Sequence, residues 1–325
     1  SRARCLASLR LLGCCALPPH GFPAGCFQPS GASSRGIARP PDLAPAAGHT
    51  HAHMDDEAGD APLEAFTWAP ERARKVAFSQ SGASNCGATA LLNVLSALEV
   101  ALPSRLEADR AVRTNLRKHG VPVSEYLAAR SVAGTTAEAI VAGCEQVAGG
   151  AVESRFFHFW PPRGVELRRW LSEWLAAGCS AVATLNTQAM YGADYWHHQM
   201  VFGVSGEGVF VTNGVETLSF EEIAKGLESP SVLRVRASDA LACSPLDAEA
   251  CDGLGPEWAR LGVARQLRQL ASGGSGAAHV DIPASYRAGI TIFARAGSEA
   301  ARRLQEAPEL PLRGEGEQAG QPAVE

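Results

Sequence analysis

The chain has 325 residues, is 46% hydrophobic and carries a net charge of −5. That is ample apolar material for a core, and it leaves no basic footprint for a nucleic-acid partner. No apolar run approaches the ~20 residues that cross a bilayer, so no membrane span is expected. Nine cysteines (Cys5, Cys14, Cys15, Cys26, Cys86, Cys144, Cys179, Cys243 and Cys251) form no Cys-x-x-Cys pair. An odd count without metal-like spacing argues against a disulfide framework and against a zinc site. Reduced thiols in an intracellular setting are expected, with no cofactor or metal called for and the oligomeric state left open.

Residues 1–62 are rich in Pro, Gly, Ala and Ser and lack hydrophobic periodicity, which reads as disorder. Arg2, Arg4, Arg10, Arg35 and Arg39 all precede the first acidic residue, Asp42. An Arg-bearing, acid-poor start is the pattern of an organellar transit peptide. Equally, Met54-Asp55-Asp56-Glu57 reads as a natural start, with the residues before it foreign to the native protein. The location is therefore cytoplasmic or, with a true transit peptide, organellar. His49, His51 and His53 alternate, but with no further ligand nearby they read as solvated side chains.

The folded part is expected over 63–242, with 243–305 as a C-terminal extension packing on it and 306–325 as a frayed tail. Helical spacing of apolar residues recurs at 86–99 and more weakly across 104–118 and 123–132. Thr135-Thr136-Ala137-Glu138 opens a further helix to about 147 in the manner of a capping box. Val152 to Trp160 alternates and reads as a strand closed by Pro161-Pro162. Leu167, Trp170, Leu171, Trp174 and Leu175 share one face of a helix, and 180–186 follows as a short buried strand. His197 to Val204 and Val209 to Thr212 form a hairpin around Ser205-Gly206-Glu207-Gly208. A helix beginning near Leu218, a strand over 231–237, a helix over 258–270 and a strand over 289–293 complete the order. Helices first and antiparallel neighbours after them make an α+β fold.

Chemistry enters at Gln80-Ser-Gly-Ala-Ser-Asn-Cys86-Gly87. Cys86 opens an apolar helix, where the positive end of the helix dipole favours thiolate. Gln80, six residues ahead across small flexible residues, is placed to loop back and offer an amide N–H beside the sulfur, as an oxyanion hole requires. Most cysteines at the start of a core helix are inert, so the site needs a base. His119, His158, His197, His198 and His279 are the candidates.

His197 and His198 begin a strand whose hairpin partner ends at Asn213, sixteen residues on, and the hairpin sets Asn213 beside that strand's start. An amide there can fix an imidazole tautomer. Neighbouring residues on a strand face opposite sides, so one of the two histidines meets Cys86. His198 shares its face with Met200 and Phe202, which reads as core. His197 shares its face with Gln199, Val201 and Gly203, read as the side open to a cleft, and is favoured over His198. Tyr191, Tyr195 and Trp196 precede the base and read as core rather than as cleft walls.

These residues resemble the papain-like cysteine peptidases, and most nearly the branch of bacteriocin-processing, double-glycine-cleaving peptidases. Gln80 and Cys86 stand at that family's separation of oxyanion glutamine and nucleophile. His197, Gly203 and Asn213 fall where it places its base, a strand glycine and the orienting Asn or Asp. The likeness covers about 78–237. It implies Cys86 as nucleophile, His197 as general base and acid, Asn213 as orienter and Gln80 as oxyanion donor, with a peptide or protein as substrate. Asn213-Gly214 stands where the bacteriocin branch has Asp-Pro. The 127 residues from Cys86 to Asn213 fall short of the ~130–150 of papain-type enzymes and point to the more compact branch. The alternatives are acyl or peptidyl transfer of the phytochelatin-synthase type, through the same residues, and a papain-like module that binds without catalysis.

Overall fold

The computed structural model describes residues 64–314 except 83, 193, 194, 274 and 275. The expectations for residues 1–62 and for the last residues of the tail lie outside that range. Strand β1 (Ala65–Phe66) and helix α1 (Pro70–Val76) lead into α2 (Cys86–Ala97), α3 (Arg105–Ala111), α4 (Val123–Val132) and α5 (Ala137–Ala148). Then come β2 (Val152–His158), α6 (Leu167–Ala176), β3 (Ser180–Asn186), α7 (Thr187–Tyr191), β4 (Trp196–Ser205), β5 (Gly208–Val211), β6 (Glu216–Leu218), α8 (Phe220–Leu227) and β7 (Val232–Arg236). The chain closes with α9 (Ala237–Leu241), a 3₁₀ segment (Ala248–Leu254), α10 (Pro256–Leu261), α11 (Val263–Ala271), β8 (His279–Pro283), β9 (Gly289–Arg295) and α12 (Glu299–Glu306).

Local chemistry sets most of these ends. Ser104 with Glu107 and Ser219 with Glu222 form capping boxes at α3 and α8, each satisfying two backbone donors of the first turn. At α5 the cap is Thr136, whose hydroxyl accepts from the Ala139 amide, so no box forms with Glu138. Helix α3 stops at Ala111, well short of 118. Asn115 exchanges backbone hydrogen bonds with Gly134 (2.9 and 2.8 Å), and its peptide groups are thereby taken from the helical ladder. The helix expected over 258–270 is two helices, because Gly262 between them sits at φ 63°, a left-handed conformation that ends α10.

All pairings in the sheet are antiparallel. The order is β2-β9-β3-β4-β5-β6, with β1 on the far part of β4. This is the α+β arrangement that the order of elements implies. Two features differ from the sequence reading. β9 lies in the middle of the sheet between β2 and β3, so the segment after 243 is built into the core rather than laid on it. β7 leaves this sheet and pairs with β8 in a separate two-stranded one. The tail is also ordered further than expected: the backbone of 311–313 is hydrogen-bonded to Pro162 and Gly164, and Leu310 is buried.

Helices cover both faces of the sheet. Ala181, Ala183, Leu185, Val201, Ile290 and Ile292 pack under α6, α8 and α12. Val182, Met200, Phe202 and Phe293 pack under α2, α3 and α5. Doubly covered strands read as continuous apolar runs, which accounts for β3, buried at every residue. It also corrects the argument that His197 lies on an open face of β4. Gln199 and Val201 on that side are buried, and His197 keeps partial exposure because it stands at the strand's start. Gly203 is needed because Phe66 lies over it: a Cβ there would stand 2.1 Å from the Phe66 ring. A third cluster joins α4, α11, β7 and β8 to Trp196 and Tyr286.

Candidate active site

Helix α2 is apolar on all sides and buried from Cys86 to Leu95, the pattern of a helix sunk in the core. Its first turn is open, since the Asn85 side chain makes no cap and donates instead to Ser81 Oγ (3.2 Å). The N–H groups at this end are left for other acceptors. The backbone N–H groups of His198, Gly87 and Cys86 itself bear on the Cys86 sulfur, and all favour thiolate. Burial, with 8% of the residue exposed, outweighs them and pushes the thiol above its ordinary value. The helix end therefore acts in the sense expected of it, but desolvation is the larger effect and the resting group is a protonated thiol.

The hairpin delivers the second part. β4 and β5 pair around Gly206-Glu207, with a bulge between Val201 and Gly203, and β5 runs on to Asn213 at φ 68°. Asn is among the few residues that take up this left-handed conformation readily. Its Nδ2 lies 3.1 Å from His197 Nε2 and 3.0 Å from Gln80 Oε1, and its Oδ1 accepts the Gln80 backbone N–H at 2.9 Å. A backbone N–H only donates, so Oδ1 must face Gln80 and Nδ2 must be the donor to His197. The Nε2 of His197 is then an acceptor, and the ring proton sits on Nδ1. The Gln80 Nε2 donates to the Gly82 carbonyl. His197 is pushed down to about 4 by burial and is neutral at physiological pH. Among the described residues no hydrogen bond joins Cys86 to His197.

His198 belongs to the interior. It is 1% exposed. Its Nε2 lies 2.7 Å from the Thr135 carbonyl, and its Nδ1 lies 3.0 Å from Thr184 Oγ1. Since a carbonyl only accepts, Nε2 carries the proton and Nδ1 takes the threonine hydroxyl. Both ring nitrogens are thereby spent.

Two residues that the sequence reading passed over hold the site together. Asn93, fully buried on α2, receives the Phe78 N–H at 2.7 Å. Its Nδ2 donates to the carbonyls of Phe78 (3.0 Å) and Thr89 (3.1 Å) and lies 3.4 Å from Thr212 Oγ1. It therefore ties the loop that carries Gln80 to the turn that carries Asn213. Gln199, on β4, donates from Nε2 to the Thr212 carbonyl and to Glu216, both at 3.0 Å. The available signal was one amide inside Leu91-Leu92-Asn93-Val94-Leu95, since a polar side chain in a buried helix needs partners. Asn93→Ala is expected to lower unfolding stability by about 2–4 kcal/mol, because it leaves the Phe78 peptide groups unpaired. Urea unfolding measures this.

The aromatic residues before the base divide. Trp196 is buried and stacks on Tyr286, with centroids 5.6 Å apart. Tyr191 and Tyr195 are exposed, and the Tyr195 ring stands edge-on to His197 at 6.0 Å. Among the described residues no three His, Cys, Asp or Glu side chains gather as a metal site, and no helix is long and apolar enough to cross a membrane.

No family model matches the chain, and no curated protein matches it. Among solved structures it is similar to that of an inferred C39-like peptidase from Bacillus anthracis, with 14% identity and a TM-score of 0.32. The match covers 46% of this chain and 87% of that one.

Proposed function

We propose that the protein is a cysteine peptidase of the papain-like kind, with Cys86 as nucleophile, His197 as base and acid, Asn213 as orienter and Gln80 at the oxyanion. The observation that carries this reading is the hydrogen-bonded chain His197–Asn213–Gln80, beside an uncapped helix end that begins with a thiol. The Cys86 thiol gives its proton to His197 as the sulfur attacks the amide carbonyl. Charge developing on that oxygen is met by the N–H groups at the start of α2. His197 then protonates the departing amine, leaving a thioester that water, deprotonated by His197, hydrolyses.

The resting hydrogen bonds set a condition on the first step. Among the described residues nothing is hydrogen-bonded to Nδ1 of His197, and at rest it holds the ring proton. It accepts the thiol proton once the ring proton stands on Nε2 and Asn213 presents Oδ1 to it. Asn213 must then let go of the Gln80 backbone N–H. The same movement frees the Gln80 side-chain oxygen from Asn213, and the amide reaches the oxyanion once its nitrogen also leaves the Gly82 carbonyl.

Gln80→Ala is expected to move two rates in opposite directions. Peptide turnover falls by a factor on the order of 10²–10³, as for other lost oxyanion donors. Alkylation of Cys86 by iodoacetamide at pH 7 rises, because Asn213 has lost the Gln80 side-chain oxygen and is held by the backbone N–H alone. Parallel changes in the two rates would rule the switch out. Turnover of a peptide library, analysed by mass spectrometry with and without added amine acceptors, tests the proposed reaction itself. Hydrolysed fragments support a peptidase, and products joined to the amine support transfer.

A further inference from the structure

At rest the amide of Gln80 is held by Gly82 and Asn213, so Gln80 does not serve the oxyanion until that hold is released. Tyr286 lies between β8 and β9, in the part of the chain expected to be an extension. Its ring is 5% exposed, stacked on Trp196 at 17° between planes, and 6.5 Å from the ring of His198. Its hydroxyl presses on Gly134, where a Cβ would stand 1.9 Å from it. The next residue, Thr135, covers the start of α2: a Cβ on Gly87 would be 2.7 Å from Thr135 Cγ2. Thr135 also holds His198 through its carbonyl, and the His198 backbone N–H is among the groups that favour the Cys86 thiolate. The phenol borders Gly134 and the His198 ring, and the start of α2 borders the adjacent Thr135.

A buried tyrosine ordinarily finds a partner for its O–H. Among the described residues this one has none, and its oxygen is not among the sealed, unpaired polar atoms. It opens onto accessible space. Burial first, and the neighbouring Cys86 second, push the phenol's ionisation up, so it is a donor at any physiological pH.

We propose that the Tyr286 hydroxyl donates a hydrogen bond to the substrate carbonyl oxygen as Cys86 attacks, a donor already in place before Gln80 is released. The inference rests on Cys86 being the nucleophile. In the step, the S–C bond forms while the carbonyl π pair moves to oxygen. The thiol proton goes to His197, and Tyr286 keeps its own proton while donating to the oxyanion. Collapse returns the pair to the C=O bond and expels the amine.

The test compares two reagents at Cys86. Acylation by p-nitrophenyl acetate passes through an oxyanion, whereas alkylation by iodoacetamide does not. Tyr286→Phe is expected to slow acylation by a factor on the order of 10², to leave alkylation unchanged, and to keep the melting temperature, since the lost hydroxyl has no protein partner. Unchanged acylation overturns the proposal. An equal loss in both rates also overturns it, because the tyrosine would then act on the thiol. The parent reading is checked separately: if Cys86→Ala is still acylated at the wild-type rate, the nucleophile is wrong whatever Tyr286→Phe does.

Discussion

Cys86→Ala is expected to lower turnover by at least about 10³-fold while leaving the melting temperature within a degree or two of the wild type. The loss is large because covalent catalysis has no substitute once the sulfur is gone, and what is left over water is binding and the oxyanion donors. Stability is spared for a separate reason. The site is the first residue of a helix whose first turns are built from the small residues Gly87, Ala88 and Ala90. The atom removed is a small hydrophobe, and of the three backbone N–H groups that bear on it two belong to the first turn of α2, where donors have no intrahelical partner in any case, and one to β4. The protonated resting thiol adds a pH signature. Iodoacetamide labelling of Cys86 in the wild type is expected to climb with pH through and beyond 9, since burial holds its ionisation above the ordinary value. A labelling rate already on its plateau at pH 7 would show an ion pair at rest instead.

Replacing the two adjacent histidines separates chemistry from architecture. His197→Ala is expected to cost a factor on the order of 10²–10⁴ in turnover, the range for a lost general acid–base, with little change in stability because, among the described residues, its ring nitrogens hold only Asn213. His198→Ala reverses the pattern. It opens a cavity and strands the Thr135 carbonyl and Thr184 hydroxyl, costing about 3 kcal/mol or more. Acid sensitivity follows from the same burial. Both imidazoles are held near 4 in the folded protein, against 6.5 for a free side chain. Between those values the unfolded chain takes up protons that the native one refuses. Stability is therefore complete above about pH 6.5 and lost as the pH falls toward 4, by up to about 3 kcal/mol per histidine. Urea midpoints at pH 7, 5.5 and 4.5 measure this. A wild type as stable at pH 4.5 as at pH 7 would show that these rings are hydrated.

What could be read from the sequence was what local chemistry decides. The ends of α4 and β3, and the meeting of His197 with Asn213, follow from turn residues and a short hairpin whose register the turn sets. What escaped was non-local. The contact of Gln80 with Asn213 spans 133 positions, and nothing in either segment announces the other. The insertion of β9 between β2 and β3 joins residues from opposite ends of the fold, and Tyr286 reaches the site only because of it. The sign of the Cys86 shift also depended on packing. The helix end was visible in the sequence, but the burial that outweighs it comes from the strands and loops closing over α2. His197 was chosen over His198 on an open face that is in fact covered, and the pairing with Asn213 is the stronger ground for the choice.

The most direct test is to quench the protein in acid during turnover of an activated peptide ester and locate the acyl group by mass spectrometry. One acyl group is expected on Cys86 in the wild type, forming far more slowly in His197→Ala and absent in Cys86→Ala. An acyl group on another residue, or equal acylation of Cys86 with and without His197, would contradict it.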